Sequence, residues 1–366
     1  MALRRPAGSG LRVPVLLATA SAVALLMAGC TSGSSSSTVS GSVSGIGGAV
    51  TLRQVGHLEQ NTITVGAVPT TDSTGLYVAE YEGLFAKYGL RVNIKPETSA
   101  ETAVNSLGLN QIQILTGNYV SFIEAQINWD KGVRPTAIAN PTDAQIAADV
   151  DLFAEASIEQ PGFVGLFTLP GSKITTIADL KGKTIGINAP NNVAYLLTAA
   201  FLEANDITPG SVRFVSVPFP LMQGALASHK VDVAFLAEPF ISIAEETGGV
   251  TMLTNLDEGA TTGMPIQGYA ATKAYARSHP NTMAAFENAL EQGQEIATND
   301  RHLAEAATAK YAFPPGTPSP ALFTAIMQFE QYPLGNVDVA RLQRVATLMN
   351  SFQLIKQFNV GKMLGG

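Results

Sequence analysis

The sequence holds one cysteine, one tryptophan and four histidines, and only 14% of its 366 residues are charged. A single cysteine, Cys30, excludes an intrachain disulfide and any cysteine-based metal cluster. The histidines at 57, 229, 279 and 302 are scattered, no two of them four residues apart, so no metal site is expected. No G-x-x-x-x-G-K-S/T loop is present to cradle a nucleotide. No G-x-S-x-G turn offers a hydrolase nucleophile either. Trp129 is expected in packing, no catalytic residues are assigned, and no cofactor is expected.

What is present begins with a leader. Arg4, Arg5 and Arg12 precede an uncharged apolar run from Val13 to Met27. Such a run is short for a bilayer crossing, which needs ~20 residues, and has the form of an export signal. It ends Leu25-Leu26-Met27-Ala28-Gly29-Cys30, which resembles a bacterial lipobox with Met27 in place of the usual Leu. Residues 1–29 are therefore expected to be a signal peptide and Cys30 a lipidated anchor on the outer face of the cytoplasmic membrane. Residues 31–50 are rich in Ser, Gly, Thr and Val and carry no charge. They bury too little apolar surface to offset the entropy of ordering, so 30–60 is expected as a flexible linker. Without residues 1–29 the chain keeps 19 basic residues against 29 acidic ones. That acidic balance argues against nucleic acid as a partner.

From Asn61 onward strands and helices alternate. Thr62–Val68 is an apolar run ending at Pro69, and Thr70–Thr74 is dense in helix-capping residues. A helix is expected from about Gly75 to Tyr88, then strands at Leu90–Ile94 and Ile112–Thr116 around a helix near Glu101–Leu109. The pattern restarts with a strand at Lys183–Asn188, a helix from Val193 to Ala204 and strands at Val212–Val217 and Val231–Phe235. Val104–Ala125 matches Gln223–Ala244 at a constant offset of 119. The repeat implies two similar α/β lobes, each a mainly parallel sheet with helices on its faces. Strands are also expected at Thr136–Ala139 and Phe163–Phe167, with a partly helical excursion from Pro141 to Gln160 between them. The expected division is 61–162 for the first part of lobe 1, 163–265 for lobe 2, and 266–366 for a return to lobe 1 followed by C-terminal helices. In the last of these, Val339, Leu342, Val345, Met349 and Phe352 make one apolar stripe.

Four segments carry a family resemblance. They are Gly75–Val92 with its "GLF…GL.V" turn, Asp179-Leu180-Lys181-Gly182-Lys183-Thr184-Ile185-Gly186, Val231–Ala234 through Glu238-Pro239-Phe240, and His279-Pro280-Asn281 leading to Leu290. In this order and spacing the chain resembles the substrate-binding proteins of nitrate, sulfonate and taurine ABC importers (SsuA/THI5-like), a group that includes relatives binding thiamine-pyrimidine precursors. Gln113 stands where that pattern often has Asp. The resemblance implies a periplasmic-binding-protein-like fold with two crossover strands, hinge closure on a ligand, no catalysis, and partners in a permease and its ATPase subunit. The chain is expected to act as a monomer.

Open α/β sheets bind ligands outside the carboxyl ends of their strands, so two facing lobes share one cleft. The loop Thr70, Thr71, Asp72, Ser73 and Thr74 leaves a strand and opens a helix, where free N–H groups and hydroxyls can meet a ligand or simply cap the helix. Asn188, Asn191, Asn192 and Val193 are the lobe 2 counterpart, again as ligand contacts or caps. Asn118 and Tyr119 follow an equivalent strand. Glu238 is either a ligand partner or an acid bonding the backbone of its turn, and Gln267 and Tyr269 lie on the return crossing. No Lys or Arg occurs in these loops, while Asp72 and Glu238 do, which disfavours a bare inorganic anion. A taurine-like zwitterion or an amino-pyrimidine fits better. The competing readings are an enzyme on the same scaffold, of pyrimidine-synthase or chorismate-dehydratase type, and a ligand-sensing receptor subunit.

Overall fold

The computed structural model describes residues 52–365 apart from 138–141, 143, 191, 314, 315 and 318. The expected signal peptide, Cys30 and the tether as far as residue 51 lie outside the described residues, as does Asn191.

Lobe 1 opens with β1 (Thr62–Ala67), α1 (Thr74–Tyr81), α2 (Leu84–Lys87), β2 (Arg91–Pro96), α3 (Ala100–Gly108), β3 (Ile114–Asn118), α4 (Tyr119–Asp130) and β4 (Val150–Ile158). The chain then crosses to lobe 2: β5 (Val164–Thr168), β6 (Thr184–Ile187), α5 (Val193–Ala204), β7 (Arg213–Ser216), α6 (Phe219–Ala227), β8 (Val233–Ala237), α7 (Phe240–Gly248) and β9 (Thr251–Asn255). It returns through β10 (Pro265–Thr272), α8 (Lys273–Ser278), α9 (Pro280–Asn299), α10 (Arg301–Tyr311), α11 (Pro320–Ile326) and α12 (Val339–Ser351). No helix among the described residues is long and apolar enough to cross a membrane.

The two sheets have one plan. Their strand orders are β2-β1-β3-β10-β4 and β7-β6-β8-β5-β9. In each, three parallel strands are followed by an antiparallel strand that has just arrived from the other lobe. The central strands β3, β5 and β8 are buried at every position, which is why they appear in sequence as short unbroken apolar runs. The offset of 119 carries α3 onto α6 and β3 onto β8 at both ends of each element. The two-lobed α/β fold expected from the sequence is the fold observed.

Four local expectations need correction. The helix expected over Gly75–Tyr88 breaks at Gly83, whose φ of 66° ends α1 and starts α2. The excursion Pro141–Gln160 is not partly helical in its second half: it contains β4, a nine-residue strand that pairs with β10. Thr136 and Ala137 are in no strand, and the Thr136 carbonyl instead accepts from the Asn105 amide of α3. The linker expected to reach residue 60 is docked from residue 52 onward. The Arg53, Gly56 and Gln60 N–H groups donate to Asn288, Asn281 and Thr282 of α9. Burial would raise the Glu59 carboxyl, but donors from Thr282 and Asn281 hold it at about 2.

α9 lies against α1, where the helices meet at Gly75 and Gly293. A Cβ on Gly293 would strike the Gly75 carbonyl and Ala79. α12 buries Leu342, Val345 and Met349 of its apolar stripe, while Val339 at its start is exposed. It packs on α4 and also touches α5 of lobe 2.

Candidate functional site

Two short crossings join the lobes, β4 to β5 and β9 to β10, and the Glu159 N–H donates to the Met264 carbonyl between them at 2.9 Å. Beside them lies a cavity of about 40 Å³. Its polar members are Thr70, Asp72, Asn118, Asn188 and Gln267, and Val193 contributes from the start of α5. Thr70, Asp72, Asn118, Asn188 and Val193 lie at or after the carboxyl ends of β1, β3 and β6, where both parallel sheets direct their loops toward one cleft, and Gln267 comes from the start of β10. The structure thus brings together six of the residues singled out in the sequence.

Asp72 organises the polar end. Its carboxylate accepts from the Thr70 hydroxyl at 2.6 Å, the Gln267 amide at 2.7 Å and the Ser157 hydroxyl. Ser157 and Gln267 face each other across β4 and β10, and the register shifts on both sides of Gln267. Such bulges re-aim side chains next to functional sites. Burial pushes the Asp72 carboxyl up, against the lowering pull of those donors.

The other hydroxyls of this loop serve lobe 1. Thr71 donates to Glu330 at 2.8 Å, and its carbonyl accepts from the Tyr332 hydroxyl. Ser73 shares a hydrogen bond with Thr116, and Thr74 donates back to the Thr71 carbonyl while meeting Thr308. None of Thr71, Ser73 and Thr74 lines the cavity.

Tyr119 and Tyr269 are buried in the core, off the cavity. The Tyr119 ring lies over Gly268, where no Cβ would fit. Asn192 is the N-cap of α5: its side-chain oxygen accepts from Ala194 and Tyr195, and its amide donates to Asn188. Glu238 accepts from the Ser242 N–H and hydroxyl and from the Gln328 N–H, so it ties its own turn to the segment after α11. Burial pushes its carboxyl up to about 7 against those hydrogen bonds.

Most of the remaining wall is apolar and was missed in the sequence. Phe163, Leu197, Phe219, Phe235 and Ile266 supply much of it. Phe219 stacks on Phe240 with ring centroids 5.1 Å apart and on Phe235 at 6.3 Å. A signal was available: Ala100 and Phe219 are repeat partners at offset 119, as are Asn118 and Ala237, and all four line the cavity. The helix starts at 100 and 219 belonged with the strand ends as cleft positions. Larger hollows of about 740 and 810 Å³ lie elsewhere, beside Phe358 and beside Arg277. Neither is built from strand ends of both lobes. Among the described residues no three His, Cys, Asp or Glu side chains converge as metal ligands.

Comparison with known proteins agrees with this architecture. Residues 128–304 match the family described as NMT1/THI5 like, and residues 56–155 match the NMT1-like family. The nitrate/nitrite binding protein NrtA of Nostoc sp. (strain PCC 7120) is 22% identical over 299 residues, covering 75% of this chain. The match spans 63% of that relative's length. The ligand binding component of an ABC-type import system from Staphylococcus aureus superposes with a TM-score of 0.67 at 16% identity, covering 83% of this chain and 96% of its own. The periplasmic aliphatic sulphonate binding protein SsuA from Escherichia coli gives 0.64 at 18% identity, over 84% of this chain and 98% of its own. At such identities the two structures establish the fold. With that two-lobed periplasmic-binding-protein fold, and with matches to two related family models between residues 56 and 304, the chain is similar to the NMT1/THI5-like proteins.

Proposed function

We propose that this chain is the extracytoplasmic solute-binding component of an ABC importer. It captures a small sulfonate, taurine-like or pyrimidine-type molecule between its lobes by hinge closure and delivers it to a membrane permease driven by a separate ATPase subunit. The observation that carries this reading is the cavity at the two crossings, lined by strand and helix ends of both lobes. A ligand there holds the lobes together, which is how binding energy becomes a shape a permease can recognise. The names of the relatives, a nitrate/nitrite binding protein and a sulphonate binding protein, support the same class. Turnover is not part of the proposal. Asp72 is the one titratable side chain lining the cavity among the described residues. In this proposal residues 1–29 direct export, and a lipid on Cys30 holds the protein at the outer face of the membrane.

Thermal denaturation of the purified protein with taurine, alkanesulfonates, nitrate, bicarbonate and amino-pyrimidines tests the reading. A ligand bound only to the native state raises the midpoint with concentration. A compound that is converted to product, with no stabiliser found, would refute it in favour of the enzyme reading.

A further inference from the structure

We infer that the cavity selects a ligand with a positively charged or N–H-bearing head, such as an amine, an amidine or an amino-heterocycle, seated on Asp72, and that it turns away bare anions. The inference rests on reading this cavity as the ligand site.

The first support is the company Asp72 keeps. Its side-chain donors, Thr70, Ser157 and Gln267, are neutral, and none of them balances its charge. Among the described residues no Lys, Arg or His lines the cavity. The hydroxyl and amide donors nearest Asp72 are already turned toward it, so an incoming nitrate or sulfonate finds a carboxylate where it needs a cation.

The second support is the pair of buried acids behind Asp72. Glu330 is buried and takes the hydroxyl of Thr71, the residue next to Asp72. Glu159 is 0% exposed on the β4–β5 crossing, and neither of its carboxyl oxygens has a hydrogen-bond partner among the described residues. Burial pushes both carboxyls well up, and each is raised further by the charge on Asp72. A cation entering this end offsets the Asp72 carboxylate, which has no counterion among the described residues that line the cavity; an anion meets that carboxylate unscreened.

The third support is the shape of the rest. Phe163, Phe219 and Phe235 present apolar surface suited to a flat body. Asn118 and Asn188 use their side-chain oxygens to accept from Ser121 and Asn192, so each has an NH₂ to offer an acceptor on the ligand. At about 40 Å³ the cavity has no room for such a body unless its walls move.

The test is isothermal titration of the purified protein, near neutral pH, with matched sets differing only in head charge. Benzamidine, benzamide and benzoate form one set. Butylamine, butanol and butanesulfonate form a second, and 4-aminopyrimidine, taurine and nitrate are added. The cationic member of a set should bind about tenfold or more tighter than its neutral and anionic counterparts. Asp72→Asn should abolish that preference, whereas Phe219→Ala should weaken all heads alike. If Asp72→Asn does not fold, the wild-type protein still decides: affinity for the cationic member should fall as pH is lowered and Asp72 protonates, while the neutral member's affinity stays level. An anion binding more tightly than its cationic counterpart overturns the inference but leaves the binding-protein reading standing. If no probe of any charge binds, the cavity is not the ligand site and both fall.

Discussion

Glu238 offers the sharpest test of the tie between the β8–α7 turn and the segment after α11. Its carboxyl sits between β8 and α7, is 2% exposed, and accepts three hydrogen bonds, one of them from Gln328 beyond α11. Burial lifts it from the ordinary value of 4.5 to about 7. A raised carboxyl binds its proton more tightly in the folded state than in the unfolded chain. Its contribution to stability is therefore complete below about pH 4.5 and is lost as pH rises through about 7. At ~1.4 kcal/mol per tenfold change in proton activity, that interval corresponds to roughly 3 kcal/mol. Glu238→Gln keeps the shape and one acceptor oxygen but cannot ionise. It should lose about 1 kcal/mol or so at low pH, where a hydrogen bond is weakened. Between pH 4.5 and 8 the wild type should then fall toward and below the variant. Urea unfolding at five pH values, followed by circular dichroism, gives both curves, and their difference cancels every other titrating group. Parallel curves would refute the reasoning, because they would mean that Glu238 remains hydrated and that its contact with Gln328 does not hold.

Gly293→Ala should destabilise by about 1–3 kcal/mol, because its Cβ would meet the Gly75 carbonyl and force α9 away from α1. A urea midpoint that rises, as for an ordinary helical glycine replaced by alanine, would contradict this. Arg341→Met strands the buried Glu155 carboxylate, which Arg341 meets at 2.6 Å. The cost should be about 2–4 kcal/mol by chemical denaturation, tempered by the partial exposure of Arg341, and adding Glu155→Gln should recover most of it.

Periodicity and punctuation were enough to reveal the lobes. Buried parallel strands leave unbroken apolar runs, and helices announce their starts with residues such as Asn192 and Asn118. The offset of 119 survives because each copy must build the same strand–helix unit, whatever its side chains. Thr70, Asp72, Asn118, Asn188 and Val193 were legible as cavity-lining residues because they stand at strand ends or the helix starts that follow them, and Gln267 because it lies on the return crossing. Thr71, Ser73 and Thr74 share that address yet turn inward, since Glu330, Thr116 and Thr308, distant in sequence, claim their hydroxyls. β4 was hidden because its strand identity comes from pairing with β10, more than a hundred residues later. The phenylalanine wall was hidden for a related reason, as a buried aromatic in sequence looks the same whether it faces a core or a cavity.

By itself, then, the sequence determined the repeat, the two lobes, the place of the cleft and the presence of an acid with no nearby cation. Only the tertiary structure decided which hydroxyls of the first loop serve Asp72 and which serve the core. It also set Ser157 and Gln267 opposite each other on that carboxylate, and left the Glu159 carboxyl buried with no hydrogen-bond partner among the described residues. The physical reason is that local propensity and burial pattern act over a few residues, whereas hydrogen-bond partnership and desolvation are settled by groups that meet only when the chain has folded.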